Sequence, residues 1–309
     1  MKCSRCSRGA IIFLKHPKLR FCQDHFNEYF IRKVQRTIRK YRMINPSDKI
    51  AVAVSGGKDS IALLHVLTRI ISNSQITCIH INLGISGYSE NCQIVVEEVC
   101  ELLGVKYEIV DLEREYGFTI DYLVKRGIGK RAPCSICGLV KRRVVNDMAL
   151  KLGFEKLATG HTLDDEVTFL LQNLASGNLD LIIRSGPVAE SKYGKLVGKI
   201  KPLYEISEQE TMLYCYVNKL KYVDVECPYA RNAPSLKLKK LINEIESIRP
   251  GFKISLLKNF TRKIKPIITE KLGTELGEQV KFCRLCGYPT VGDVCAFCRL
   301  KMKLEKYAN

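Results

Sequence analysis

Residues 49–67 read KIAVAVSGGKDSIALLHVL, an apolar run that enters two glycines and leaves as an apolar helical pattern. The pattern predicts a buried strand over Ile50–Val54, a tight turn, and a helix from Asp59 to about Ile71. Gly56 and Gly57 let the backbone approach an anion closely, and the following helix aims its first amides at it. Lys58 adds a full positive charge, and Ser55 and Ser60 offer hydroxyls. The four-residue gap that a Walker loop needs between its glycines is missing. The stretch therefore reads as a phosphate cradle of another kind. A second glycine pattern, GIGKRA at 127–132, joins no predicted strand to a helix, and Pro133 follows it.

Outward from the cradle, strands and helices alternate. Ile76–Ile81 and Tyr107–Val110 read as strands, separated by a helix carrying Val95, Val96, Val99, Leu102 and Leu103. The segment 141–153 reads as a helix, 156–160 as a strand, and 161–175 as a further helix with acidic residues at its positive end. Lys199–Lys201 is a candidate last strand, and Ser207-x2-Glu210 is a capping box for a helix through about Val217. This order predicts an α/β fold, a doubly wound parallel sheet with helices on both faces. Ligands of such sheets bind beyond the carboxyl ends of the strands. SGGKDS, HINLG (80–84) and TGHTLDDE (159–166) all fall there. Asp164 or Asp165 could hold Mg²⁺ or position a reacting group.

Fourteen cysteines are too many for core packing alone, and the start of the chain has no signal-peptide pattern. The expected setting is cytoplasmic, where thiols stay reduced and serve metals or redox chemistry. Cys3, Cys6, Cys22 and His25 form one four-ligand set at metal spacing, and Cys283, Cys286, Cys295 and Cys298 a second. Each fits tetrahedral zinc in a closed, structural site. Cys134-x2-Cys137 has no second pair nearby; its one polar, turn-like counterpart is Cys227. Three such thiols suit an iron–sulfur cluster with one open iron, a redox dithiol with a helper thiol, or a structural zinc with an unrecognised ligand. Cys78, in a strand, and Cys92, Cys100 and Cys215, in helical patterns, read as small core residues. Lys141, one helical turn after Cys137, can reach the same pocket.

Fifty Lys and Arg against 32 Asp and Glu leave a net charge of +18, which favours a polyanionic partner such as nucleic acid. Residues 231–271 hold eleven basic and three acidic side chains. A helix over 26–43 would turn Phe30, Val34, Ile38 and Tyr41 inward and Arg32, Arg36, Arg39 and Lys40 elsewhere. No apolar run approaches the ~20 residues of a membrane span. The expected organisation is a zinc module at 1–27, a basic helix at 28–48 and a catalytic domain at 49–230. A basic helical segment at 231–275 and a second zinc module at 276–309 complete it.

AVSGGKDS, with PCSICGLVKR (133–142), ATGHTLDDE (158–166), ECPYA (226–230) and CGYP…CAFCR (286–299), carries a resemblance. The cradle resembles the pyrophosphate loop of the ATP-pyrophosphatase superfamily, with its adenine nucleotide alpha-hydrolase-like fold. The whole chain is similar to tRNA 2-thiouridine synthetases of the TtuA/NcsA type. That resemblance implies ATP with Mg²⁺, a [4Fe-4S] cluster on Cys134, Cys137 and Cys227, and two zinc ions. It implies a nucleotide site of Ala53, Ser55, Gly56, Gly57, Lys58, Asp59, Ser60, His80, Ile81, Gly160 and Asp165. Lys141 and Asp165, with the three cysteines, would be catalytic. ATP would adenylate the C2 oxygen of a tRNA uridine, in the T-loop or at the wobble position, and sulfur at the open iron would displace AMP. The implied partners are tRNA, a ubiquitin-like thiocarboxylate protein or sulfide as sulfur donor, and a second copy of the chain. Thr162 departs slightly from a pattern that more often has Asn there. The rival readings are a cluster-free persulfide relay between Cys134 and Cys227, and a non-enzymatic zinc-finger RNA-binding protein.

Overall fold

The computed structural model describes residues 1–128, 132–230, 233–277 and 280–308. Gly129, Lys130 and Arg131 of the GIGKRA stretch, and Arg231, lie outside the described residues. The chain opens with the hairpin β1 (Ile12–Leu14) and β2 (Leu19–Phe21) and the helix α1 (Gln23–Lys40). Next come β3 (Ile50–Ala53), α2 (Lys58–Thr68), β4 (Ile76–Asn82), α3 (Ser89–Leu103), β5 (Lys106–Asp111), α4 (Leu112–Tyr116) and α5 (Ile120–Lys125). The second half of the sheet domain holds α6 (Pro133–Lys151), β6 (Lys156–Thr159), α7 (Leu163–Ala175), α8 (Leu179–Arg184), β7 (Val188–Ala189), β8 (Gly198–Ile200) and α9 (Glu208–Val217). Beyond it lie α10 (Pro234–Ile248), α11 (Phe252–Asn259), a π-helical turn (Phe260–Ile264) and α12 (Lys265–Gly277). The chain closes with β9 (Lys281–Phe282), β10 (Pro289–Thr290) and α13 (Ala296–Ala308).

Six strands form one sheet in the order β5-β4-β3-β6-β8-β7, parallel except for the antiparallel edge strand β7. The register aligns Ala53 with Ile79 on one side and with Thr159 on the other. The carboxyl ends of β3 and β6 therefore stop level, β4 runs three residues further to Asn82, and the three ends make a single rim. Side chains alternate across β3: Ile50 and Val52 pack on one face with Ile61, Val96 and Tyr214, while Ala51 faces Ile79, Val140 and Leu157. Helices cover both faces, so the sheet is doubly wound as expected.

α1 starts three residues earlier than its apolar period implied, directly after Cys22. The boundary expected after residue 27 falls inside it. Its buried face is part of the sheet's own core: Phe30 is fully buried and stacks on Tyr214 with ring centroids 4.0 Å apart. Lys33 and Tyr29 donate to Glu210 of α9 at 2.6 and 2.9 Å, which fastens the same helix by charge. The Ser207–Glu210 capping box has both of its hydrogen bonds. α6 begins at Pro133, where a proline loses no helical hydrogen bond. The helix expected over 141–153 thus starts eight residues earlier, and Cys134 and Cys137 sit on its first turns. No described helix is long and apolar enough to cross a membrane.

Candidate active site

The rim encloses a cleft of about 540 Å³. Gly56 adopts φ +87°, and a Cβ there would stand 3.1 Å from the Cα and carbonyl oxygen of Cys92. Gly160 brings the β6–α7 turn so close that its Cβ would meet the Ser60 amide at 3.1 Å. The Ser60 hydroxyl donates to the Gly57 carbonyl at 2.9 Å and accepts from the Ser55 amide at 3.1 Å. These contacts hold the loop open around the start of α2, whose first amides face the anion site. Ala53, Ser55, Gly57, Asp59, Ser60, His80, Ile81, Gly160, Asp165 and Lys141 all line the cleft. Gly56 turns away against α3, and the Lys58 ammonium lies 2.9 Å from Asp59 and 3.8 Å from Glu208.

Charge is concentrated beside this loop. Asp165 accepts from the Thr162 amide (2.9 Å) and hydroxyl (3.0 Å) through one carboxylate oxygen and from Lys239 (2.6 Å) through the other. Burial pushes its pKa up, but Lys239 and the Thr162 amide more than reverse this and keep it ionised. Burial pushes Asp59 and Glu208 up despite Lys58 and Lys239. Thr211 donates to Asp59. His80 lies 2.8 Å through Nδ1 from the Val54 carbonyl, so that nitrogen carries the proton and Nε2 is an acceptor. Burial lowers its pKa and Lys141 adds to that, so the ring is neutral. Nε2 is the one buried side-chain nitrogen or oxygen among the described residues with no partner. A neutral acceptor left in a cleft wall suits a donor on a ligand.

Cys134, Cys137 and Cys227 stand beside the cleft rather than on its wall. Cys134 is exposed, and its thiol lies 3.5 Å from the Tyr229 carbonyl, two residues after Cys227. Cys137 and Cys227 are half-buried against the same apolar cluster. Burial raises the Cys137 thiol, with Lys141 pulling the other way and Cys227 and Cys134 adding to the rise. The three thiols thus converge from α6 and the 227–229 turn, with Lys141 between them and the cleft. They do not make a tight set like the two terminal ones, whose ligand atoms all lie within 4.8 Å of one another. A four-iron cube needs its cysteines further apart than one ion does, so this looser triangle suits a cluster better than a zinc ion.

The terminal sets fit one metal ion each. In the first, His25 Nδ1 lies 3.6 Å from Cys3 Sγ and 3.3 Å from Cys22 Sγ. Burial raises the Cys3 thiol, but backbone amides at Cys22, Arg5 and Cys6 bring it down to about 6. Amides at Cys295, Leu285 and Cys286 do the same for Cys283, also to about 6. In the second set Arg143 of α6 donates to Cys286 Sγ at 3.4 Å, bonds Asp147 at 2.6 Å and lies over Tyr288. That guanidinium ties the C-terminal module to the helix carrying Cys134, Cys137 and Lys141.

Residues 26–233 match the family model of the PP-loop domain, and residues 2–27 that of the 2-thiouridine synthetase TtuA N-terminal LIM domain. The chain is 43% identical over 302 residues to the tRNA-5-methyluridine(54) 2-sulfurtransferase of Pyrococcus horikoshii, covering 97% of this chain and 93% of that one. The enzyme of the same name from Thermus thermophilus is 39% identical, with 97% and 91% covered. The chain belongs to the TtuA/NcsA-type tRNA thiolases. A solved member, the U34-tRNA thiolase NcsA from Methanococcus maripaludis with its [4Fe-4S] cluster, superposes with a TM-score of 0.79 at 29% identity over 98% of this chain and 96% of that one.

Against this thiolase frame, three residues at the site went unread in the sequence. Cys92 is buried, as its helical position suggested, yet it lines the cleft and backs Gly56. Its place one turn into α3, just past the rim, was the available signal. Glu208 and Lys239 form ion pairs at the loop, and neither belongs to a motif.

Proposed function

We propose that this chain is an ATP-dependent tRNA uridine 2-sulfurtransferase. The observation that supports the reading is a strand-end cleft lined by the pyrophosphate loop, Asp165 and Lys141, with Cys137 one helical turn from Lys141 and Cys134 and Cys227 beside it, outside the zinc-type sets. ATP would be attacked at its α-phosphorus by the C2 oxygen of the uridine, releasing pyrophosphate toward the α2 amides and Lys58. The adenylated oxygen would then leave as AMP when sulfur adds at C2. Asp165, ionised and fixed at both oxygens, would orient the nucleotide, and His80 Nε2 would accept a hydrogen bond from it. Mg²⁺ would accompany ATP. Lys141 would place its ammonium between the adenylated uridine and the sulfur source. When bound on Cys134, Cys137 and Cys227, a [4Fe-4S] cluster would supply sulfur at an iron without a cysteine ligand. The sulfur source would be a ubiquitin-like thiocarboxylate protein or free sulfide, and the assembly a homodimer.

The T-loop uridine is the favoured target, because the relatives at 43% and 39% identity are named for position 54. The test incubates anaerobically reconstituted protein with ATP, sulfide and unmodified tRNA, and maps 2-thiouridine by mass spectrometry. Thiolation at position 54 supports the reading, thiolation at position 34 moves it to the wobble branch, and none rejects it.

Zinc is the ion proposed for both terminal sets. Metal analysis of protein stripped of iron should give about two zinc per chain; one or none would remove the assignment.

The RNA surface would be basic and would follow the backbone. Arg36 and Arg39 on α1, Lys237 and Lys240 on α10, and Arg262 and Lys263 on the π-helical turn are exposed. Neutralising four of them should flatten the salt dependence of tRNA binding by about 0.7–0.9 log units for each phosphate that no longer meets a cation. An unchanged slope would put the tRNA on another face.

A further inference from the structure

We propose that Lys239 of α10, outside the matched PP-loop domain, is a positioning residue of the nucleotide site, balancing the charge of Asp165 and Glu208 so that ATP can approach Lys58. The proposal rests on the adenylation reading above for its substrate. Its geometry stands apart from that reading. The Lys239 ammonium lies 2.6 Å from Asp165 and 2.5 Å from Glu208. The other Glu208 oxygen is 3.8 Å from the Lys58 ammonium, which is itself 2.9 Å from Asp59. A single chain of alternating charge thus runs from the pyrophosphate loop to a lysine six residues beyond the end of the matched domain.

A purely structural role explains less. α10 already docks through Leu238 and Ile242, which pack with Leu163 and Val167 of α7. Its other nearby lysines, Lys237 and Lys240, are exposed, whereas the Lys239 side chain retains only 16% of its exposure. Burying an ammonium is costly unless well-placed anions receive it. Burial would lower the Lys239 pKa, but Asp165 and Glu208 outweigh it and keep the charge. Three carboxylates, Asp59, Asp165 and Glu208, stand beside the loop with Lys58 and Lys239 as their ion-pair partners, while Lys141, Arg142, Lys199 and Lys201 line the rest of the cleft. Without Lys239, Asp165 loses its ion-pair partner and Glu208 keeps only the 3.8 Å contact with Lys58, next to the place where a triphosphate must arrive. The long-range field there would repel the nucleotide, and Asp165 would be left with its second oxygen unanchored.

The experiment measures ATP affinity by calorimetry and the KM and kcat of AMP formation for Lys239→Met, Lys239→Arg and the double variant Lys239→Met with Glu208→Gln. Lys239→Met should weaken ATP binding and raise its KM at least tenfold. Lys239→Arg, which keeps the charge, should stay within about threefold of the parent. Adding Glu208→Gln should recover part of the loss, because it removes the carboxylate left without its partner. A lysine that only braced the helix would lower the melting temperature, and the second substitution would not restore affinity. Should Lys239→Met not fold, Lys239→Gln keeps a donor without the charge and carries the same expectation. ATP affinity within twofold of the parent in the uncharged variant, or a double variant no better than the single one, overturns the proposal. Calorimetry needs no turnover. A parent protein that binds ATP yet forms no AMP would sink the adenylation reading, while a tenfold loss in Lys239→Met would still uphold the charge-balancing role.

Discussion

Lys58→Ala is expected to cut AMP formation by roughly 10²–10³-fold, the size of effect seen when one preorganised donor to a developing anion is removed. Pyrophosphate carries its charge into the leaving group, and Lys58 stands at the start of α2, where the helix amides already favour an anion. Removing the ammonium also leaves Asp59 and Glu208 facing the phosphates with one cation fewer. Asp165 needs a more careful substitution. Its carboxylate forms the α7 capping box with Thr162, so Asp165→Ala would also cost about 1 kcal/mol of helix stability. Asp165→Asn keeps an oxygen for the Thr162 amide and removes the charge, which separates catalysis from folding. Pyrophosphate release should show a loss of comparable size, read beside thermal melting, because Lys239 is left with Glu208 alone as its anion and the melting point falls somewhat. Full AMP formation in Lys58→Ala or in Asp165→Asn would reject the role given to that residue.

The contrast between Lys58 and Lys239 marks what a sequence can carry. Lys58 was legible because it follows two glycines between an apolar strand and a helix, all within a dozen residues. The strands β3, β4, β5 and β6 were legible for the same reason: their buried faces write a local pattern. Lys239 meets Asp165 across 74 residues and Glu208 across 31. No periodicity records which lysine of a basic helix turns inward. Cys92 shows the same limit in reverse, since a buried helical thiol reads as packing whether or not a cleft opens beside it. Two helix starts were also read late. The helix read over 141–153 begins eight residues earlier, at Pro133, a residue suited to the first helical position. α1 starts at Gln23, directly after Cys22, and carries the metal-type ligand His25 on its first turn, where no apolar period marks a helix.

Serine in place of Cys134, Cys137 or Cys227 is expected to remove iron, brown colour and thiolation together, with ATP binding largely kept. The reason is spatial. The three thiols approach from two separate segments, α6 and the 227–229 turn, and none of them lines the nucleotide cleft. A cluster held at only three corners loses its footing when one is taken, whereas the pyrophosphate loop is built from β3 and α2 and does not depend on them. A persulfide relay makes a different demand. It needs two thiols that can exchange sulfur, and it needs no iron. In a relay through Cys134 and Cys227, Cys137→Ser would therefore leave thiolation near that of the parent. Burial raises the Cys137 thiol, which disfavours it as a free nucleophile. A metal-bound role suits it better, since coordination itself drives off the proton. Cys92→Ser is the matched control: its thiol is buried beside the same cleft yet is not one of the three, so iron content should be unchanged. The measurements are iron per chain, absorbance of anaerobically purified protein, ATP affinity and 2-thiouridine formed. Iron-free protein that thiolates tRNA at the full rate would overturn the cluster in favour of the relay, and Cys137→Ser that keeps iron would break the ligand set.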